Sequence, residues 1–134
     1  MGDHHAALIY TMVMVSAADG DMTDNELIRI GEVIRYLPVF ADYDEARLPG
    51  EAETCAEMLG SADGLDRVLD HIVAGLPSKL AETAYAIACD VAAADGHVEP
   101  EEARMLQILR DRLEIDRLAA AAIERGARVR YRTL

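Results

Sequence analysis

The chain has 134 residues, 51% of them apolar, with 25 Asp and Glu against 13 Lys and Arg for a formal net charge of −12. That length and apolar fraction support one compact domain over 1–134, and they exclude an acidic disordered tail or a fold that needs disulfides or metal merely to close. The acidic balance excludes nucleic acid as a partner, because counterion release requires a basic face, and it favours cations, basic proteins or simple solubility.

Nearly every segment reads as helix. Ala, Leu, Ile, Met, Glu and Arg dominate, with one Phe and no Trp, and these are favourable helix residues. No segment joins period-2 alternation to hairpin turn signals, so the expected fold class is all-α with six to seven helices. The apolar run Ala6–Ala18 opens the first helix, with Leu8 and Met12 on its face. It is too short to span a bilayer and lacks the basic residues of a signal peptide. With no other run of membrane length, a cytoplasmic location is expected. After Asp19-Gly20, Thr23 is placed to cap a second helix carrying Leu27, Ile30, Val33 and Leu37. The stretch Pro38 to Gly50, with two prolines and an acidic cluster, reads as a loop or short helical turn. A third helix is expected from about Glu51 to Leu59, with Ala52, Cys55, Ala56 and Leu59 inward.

The clearest helical pattern follows: Leu65, Val68, Leu69, Ile72, Val73 and Leu76 recur at i, i+3, i+4, i+7, i+8 and i+11. Asp63-Gly64 starts this helix and Pro77 stops it. Ser78 is placed to cap the next, which carries Leu80, Ala84, Ile87, Ala88 and Val91. After Asp95-Gly96, Glu99 can cap a helix with Pro100 in its first position and Ala103, Leu106, Leu109 and Leu113 inward. Asp116 caps the last helix, with Leu118, Ala119, Ala122 and Ile123 inward and Gly126 as its stop. The last ten residues, from Arg125, hold four Arg and no acid, so 1–124 carry a net −16. This basic end reads as a solvated terminus or a partner for the acidic body. Cys55 and Cys89 form no metal-ligand spacing and read as free, buried thiols.

The informative feature is an internal duplication. Val15–Glu26 aligns with Val91–Glu102 at an offset of 76, and seven of 23 positions are identical over Val15–Leu37 against Val91–Leu113. Repeat 1 covers about 6–37 and repeat 2 about 80–113. Each is helix, tight Asp-Gly loop, helix. Two such hairpins are expected to pack as a four-helix core about a pseudo-two-fold axis.

Each loop reads D-G-x-hydrophobic-x-x-x-E: Asp19, Gly20, Met22, Glu26, then Asp95, Gly96, Val98, Glu102. The Gly-x5-Glu spacing equals the second half of an EF-hand loop, but the first-half carboxylates are replaced by Val15 and Ala17, and by Val91 and Ala93. Two readings stand side by side. In one, glycine ends the first helix, and Glu26 and Glu102 complete capping boxes with no metal. In the other, the pseudo-two-fold brings Asp19, Glu26, Asp95 and Glu102 to a shared cation, with Asp21, His97 or Glu99 as extra ligands. A hard ion, Ca²⁺ or Mg²⁺, suits such oxygens and would be weakly held. No nucleophile-and-base grouping stands out, so no enzymatic activity is expected.

At Ala17-Ala18-Asp19-Gly20…Glu26 and Ala93-Ala94-Asp95-Gly96…Glu102 the chain resembles the TerB-like tellurite-resistance domains. The likeness covers roughly Ala6 to Ala122. It implies an all-helical, internally repeated core, whose acidic residues (here Asp19, Glu26, Asp95 and Glu102) bind divalent cations. It also implies work in tellurite and stress resistance beside membrane-bound and metal-binding partners; a similar domain occurs fused to a J-domain co-chaperone. The expected function is a non-enzymatic, cation-binding helical module. The alternative is a metal-independent interaction module that docks its acidic surface on a basic or membrane-associated protein.

Overall fold

The structure is a computed structural model and describes residues 3–18, 20 and 22–134. Among the described residues seven α-helices follow in order: α1 His4–Ser16, α2 Asp24–Tyr36, α3 Leu48–Leu59, α4 Gly64–Gly75, α5 Ala81–Ala93, α6 Pro100–Arg112 and α7 Arg117–Arg130. Short 3-10 turns at Pro38–Phe40, Glu45–Arg47 and Ser78–Leu80 join some of them, and no strand occurs among the described residues. The all-α expectation holds.

Helix α1 is the centre. The Asp3 carboxylate accepts from the Ala6 N–H at 3.1 Å and caps it. Its sequence is apolar all round, and a helix of that kind must be surrounded. Leu8, Ile9, Met12, Val13, Met14 and Val15 are all buried, and α2, α3, α4, α5 and α6 each contact α1. The buried Thr11 hydroxyl donates to the Ala7 carbonyl at 2.8 Å, so it enters the core satisfied. Helix α5 is the second internal element, burying Ala84, Tyr85, Ile87, Ala88, Val91 and Ala92. It touches α1, α2, α6 and α7. The pairs α1–α2 and α5–α6 thus interlock, with α1 also against α6 and α2 against α5. The α3–α4 hairpin covers the other side of α1. Gly64 is required at its turn, because a Cβ there would lie 2.1 Å from the Met58 carbonyl oxygen.

Several sequence expectations are corrected. Helix α3 begins at Leu48 and takes Pro49 and Gly50 into its first turn, where proline is tolerated because its N–H is not needed. Ala56 and Ala103 face solvent. Ser78 does not cap α5, because the chain passes through a 3-10 turn first. Val73 is 43% exposed, at the edge of its stripe. Helix α7 runs straight through Gly126. It buries Ala120 and Ala127, with Leu118 79% exposed and Ala122 outward. In a run of alanines the choice of face is set by the neighbour, α5, and not by the α7 sequence. Cys55 and Cys89 are free and buried, as expected.

Candidate cation site

Both Asp-Gly loops turn in the same way. Helix α1 ends at Ser16 and α5 at Ala93. The Gly20 N–H donates to the Ala17 carbonyl and the Gly96 N–H to the Ala93 carbonyl, each at 2.9 Å. The two glycines have φ of +98° and +92°, a backbone that residues with a Cβ rarely adopt. The following helices start alike. The Thr23 hydroxyl accepts from the Glu26 N–H at 3.2 Å, while Glu26 Oε1 accepts from the Thr23 N–H at 2.7 Å. Glu102 Oε1 accepts from the Glu99 N–H at 2.9 Å. Glu26 and Glu102 therefore each spend one oxygen on a helix N-terminus, as the capping reading expects.

The two loops meet at one cleft of about 390 Å³, lined by Glu26 and Arg29 of α2, Asp95, Glu99, Glu101 and Glu102 of the second loop and α6, and Ser16, Thr23 and Asn25. Three of the four predicted ligands, Glu26, Asp95 and Glu102, share it. Asp19, and the extra candidate Asp21, lie outside the described residues. Glu99 lines the cleft. His97 does not; it pairs with Glu99 at 2.7 Å and borders a separate apolar pocket against α7.

Among the described residues, five carboxylates line this cleft and Arg29 is the one basic residue. The Arg29 guanidinium is ion-paired to Asp95. Glu102 shows the cost of the crowding: burial raises its pKa first, and the like charges of Glu26, Asp95 and Glu99 raise it further, against the lowering by its bond to the Glu99 N–H. At the end of α1, the Ser16 hydroxyl is buried, lines the cleft and has no hydrogen-bond partner among the described residues. Buried polar groups normally find one. Among the described residues, no three or more His, Cys, Asp or Glu side chains converge into a ready metal-ligand set. Two carboxylates hold caps and a third pairs with Arg29.

Arg29 and Ser16 escaped the sequence reading. The 76-residue offset puts Met105 opposite Arg29 and Ala92 opposite Ser16. The signal was there: a polar residue in one copy where the other is apolar, close to the loops.

With this geometry in view, the family comparison is decisive. The family model described as tellurite resistance protein TerB matches residues 5–125. The chain belongs to the TerB family. TerB is a family of non-catalytic, all-helical domains, in keeping with the seven helices here. No curated protein and no solved structure matches the chain. Nor is any helix among the described residues long and apolar enough to cross a membrane.

The second polar constellation lies under α7. The Tyr85 hydroxyl donates to Glu124, which Arg110 also pairs at 3.3 Å. Burial, then the bond to Glu124, raises the Tyr85 pKa. Beside it, burial pushes the Cys89 thiol up to about 12. A thiol so held stays protonated at neutral pH and is a poor nucleophile.

Proposed function

We propose that the cleft between the two Asp-Gly loops takes one divalent cation, and that the protein is a non-enzymatic, cation-responsive module of the TerB type acting in tellurite or metal stress. The observation that carries this reading is the shared cleft: Glu26, Asp95 and Glu102 come from loops 76 residues apart in register and line one space. Two further features support it. Ser16 supplies a buried oxygen without a partner, and Glu102 suffers like-charge repulsion that a cation would relieve. The donor set is all oxygen, which suits Ca²⁺ or Mg²⁺ in preference to softer ions. Glu26 and Glu102 would each offer the carboxylate oxygen that the cap leaves free, Asp95 a carboxylate shared with Arg29, and Asp19 a fourth. A bound cation would supply positive charge that ties the start of α2 to the second loop.

The test is thermal. With a Kd of about 10⁻⁴ M, roughly 10 mM Ca²⁺ or Mg²⁺ stabilises the native state by about 2.7 kcal/mol, several degrees in Tm. Asp19→Ala with Asp95→Ala is expected to abolish the shift. A Tm that responds no more to these ions than to NaCl of equal ionic strength defeats the reading.

The alternative is a metal-independent module whose acidic surface docks on a basic or membrane-associated protein. One observation favours it: Glu26 and Glu102 already have a role as capping residues. It expects partner binding that is unchanged by chelator.

A further inference from the structure

Arg29 occupies an unusual position. Its guanidinium crosses from α2 to the second loop and pairs with Asp95, 66 residues away. Among the described residues it is the one basic side chain lining a cleft with five carboxylates. The pair is neither fully buried nor free, with side-chain exposures of 28% for Arg29 and 58% for Asp95. The helix–loop–helix unit does not itself need a base here, because the equivalent position in the second copy is Met105, packed on the core. Arg29 also borders the neighbouring cleft, lined by Glu32 and Asp90.

We propose that Arg29 is an internal counter-cation that competes with the divalent ion for Asp95 and so sets the affinity of the site; this rests on the cation reading above. Without metal, Arg29 neutralises Asp95 and tethers the two loops. A cation ligated by the same carboxylate must take it from the guanidinium, and two positive groups on one carboxylate repel. The ion pair is therefore subtracted from the binding free energy, and loading exchanges one tether for another. In the 76-residue register the position equivalent to Arg29 is Met105, so the duplication does not repeat this base.

The experiment titrates the metal-stripped full chain with CaCl₂ and with MgCl₂ by calorimetry at constant ionic strength, for wild type, Arg29→Met, Arg29→Gln and Arg29→Lys. Arg29→Gln guards against poor folding of the methionine variant, and circular dichroism checks each protein. The neutral variants are expected to bind about three- to fivefold more tightly, the range an exposed ion pair supplies. Their metal-free Tm falls below that of wild type, and Arg29→Lys, which keeps the charge, binds close to wild type. Measurable wild-type binding with no gain, or a loss, in the neutral variants overturns the role of Arg29 and leaves the cation site standing. No binding by any of the four proteins overturns the cation site and this inference with it.

Discussion

Glu102 does two things at once, and substitution separates them. Its Oε1 accepts from the Glu99 N–H at the start of α6, while its charge is disfavoured by burial and by Glu26, Asp95 and Glu99. Because its folded pKa is raised above the ordinary 4.5, the native state binds the proton more readily than the unfolded chain. This group's contribution to stability is therefore full below about 4.5 and is lost as pH rises through the folded value. Glu102→Gln keeps an acceptor for the cap and removes the charge. At pH 7 without metal it is expected to match or exceed wild type in urea midpoint, while losing most of the response to Ca²⁺. A destabilised metal-free Glu102→Gln would show that the charged carboxylate strengthens the cap by more than its crowding costs. The same sign applies at high pH to the thiols. Burial pushes Cys55 and Cys89 from 9 up to about 12, and it also raises Tyr43 and Tyr85. Stability is expected to be full below pH 9 and to decline as pH rises towards 12, read as a falling urea midpoint. Glu26, Asp95 and Glu102, which line the cleft, were legible in the sequence because the Asp-Gly-x5-Glu pattern occurs twice. Arg29 and Ser16 stand out only as breaks in the repeat, a polar residue where the other copy has Met105 or Ala92. Such a break does not by itself say which way the side chain faces.

At the scale of the element, the glycines distinguish backbone need from spatial need. Gly96 has φ +92° and open space where a Cβ would stand, with nothing within 4 Å, so Gly96→Ala is strained by backbone alone, at about 1–2 kcal/mol. Gly64 has an ordinary φ, but its Cβ would strike the Met58 and Leu59 backbone, so Gly64→Ala pushes α3 from α4 at about 1–3 kcal/mol. Gly50, in the first turns of α3, has neither restriction; Gly50→Ala is expected to be neutral or to stabilise by up to about 1 kcal/mol. Chemical denaturation of the three variants checks the order. Helix caps were the most legible part of the sequence: Thr23, Glu99-Pro100 and Asp116 all begin helices where expected. Helix faces were less so. The two Leu8 and Met12 positions understated α1, which is buried nearly all round because five helices pack on it. The face of α7 was misread because its alanines offer no contrast, and only contact with α5 decides that Ala120 and Ala127 turn inward.

Across the whole molecule, the net charge of −12 resolves into parts with different uses. A minority of the acids form ordinary surface ion pairs, such as Arg35 with Glu45 and Arg112 with Asp70. The basic C-terminal end is partly engaged, with Arg130 pairing to Asp90 of α5. What stands apart is the cleft between the loops, where five acids gather around one arginine at the start of two helices. Helix N-termini favour that negative charge by about 0.3–1 kcal/mol each, which helps the carboxylates stay together without metal. The architecture that brings them together, α1 against α5 with each second helix crossing to the other pair, was foreseeable from the duplication. The arginine that pairs with Asp95 across the cleft was not.

The most direct measurement is the stoichiometry of Ca²⁺ binding to the metal-stripped chain by calorimetric titration, alongside the Glu26→Gln, Glu102→Gln double variant, which retains acceptors for both caps. One equivalent of Ca²⁺ per chain, lost in the double variant while its metal-free Tm is unchanged or raised, is the expected result. Two independent equivalents, or no heat beyond that of ionic strength, would contradict a single cation shared between the loops.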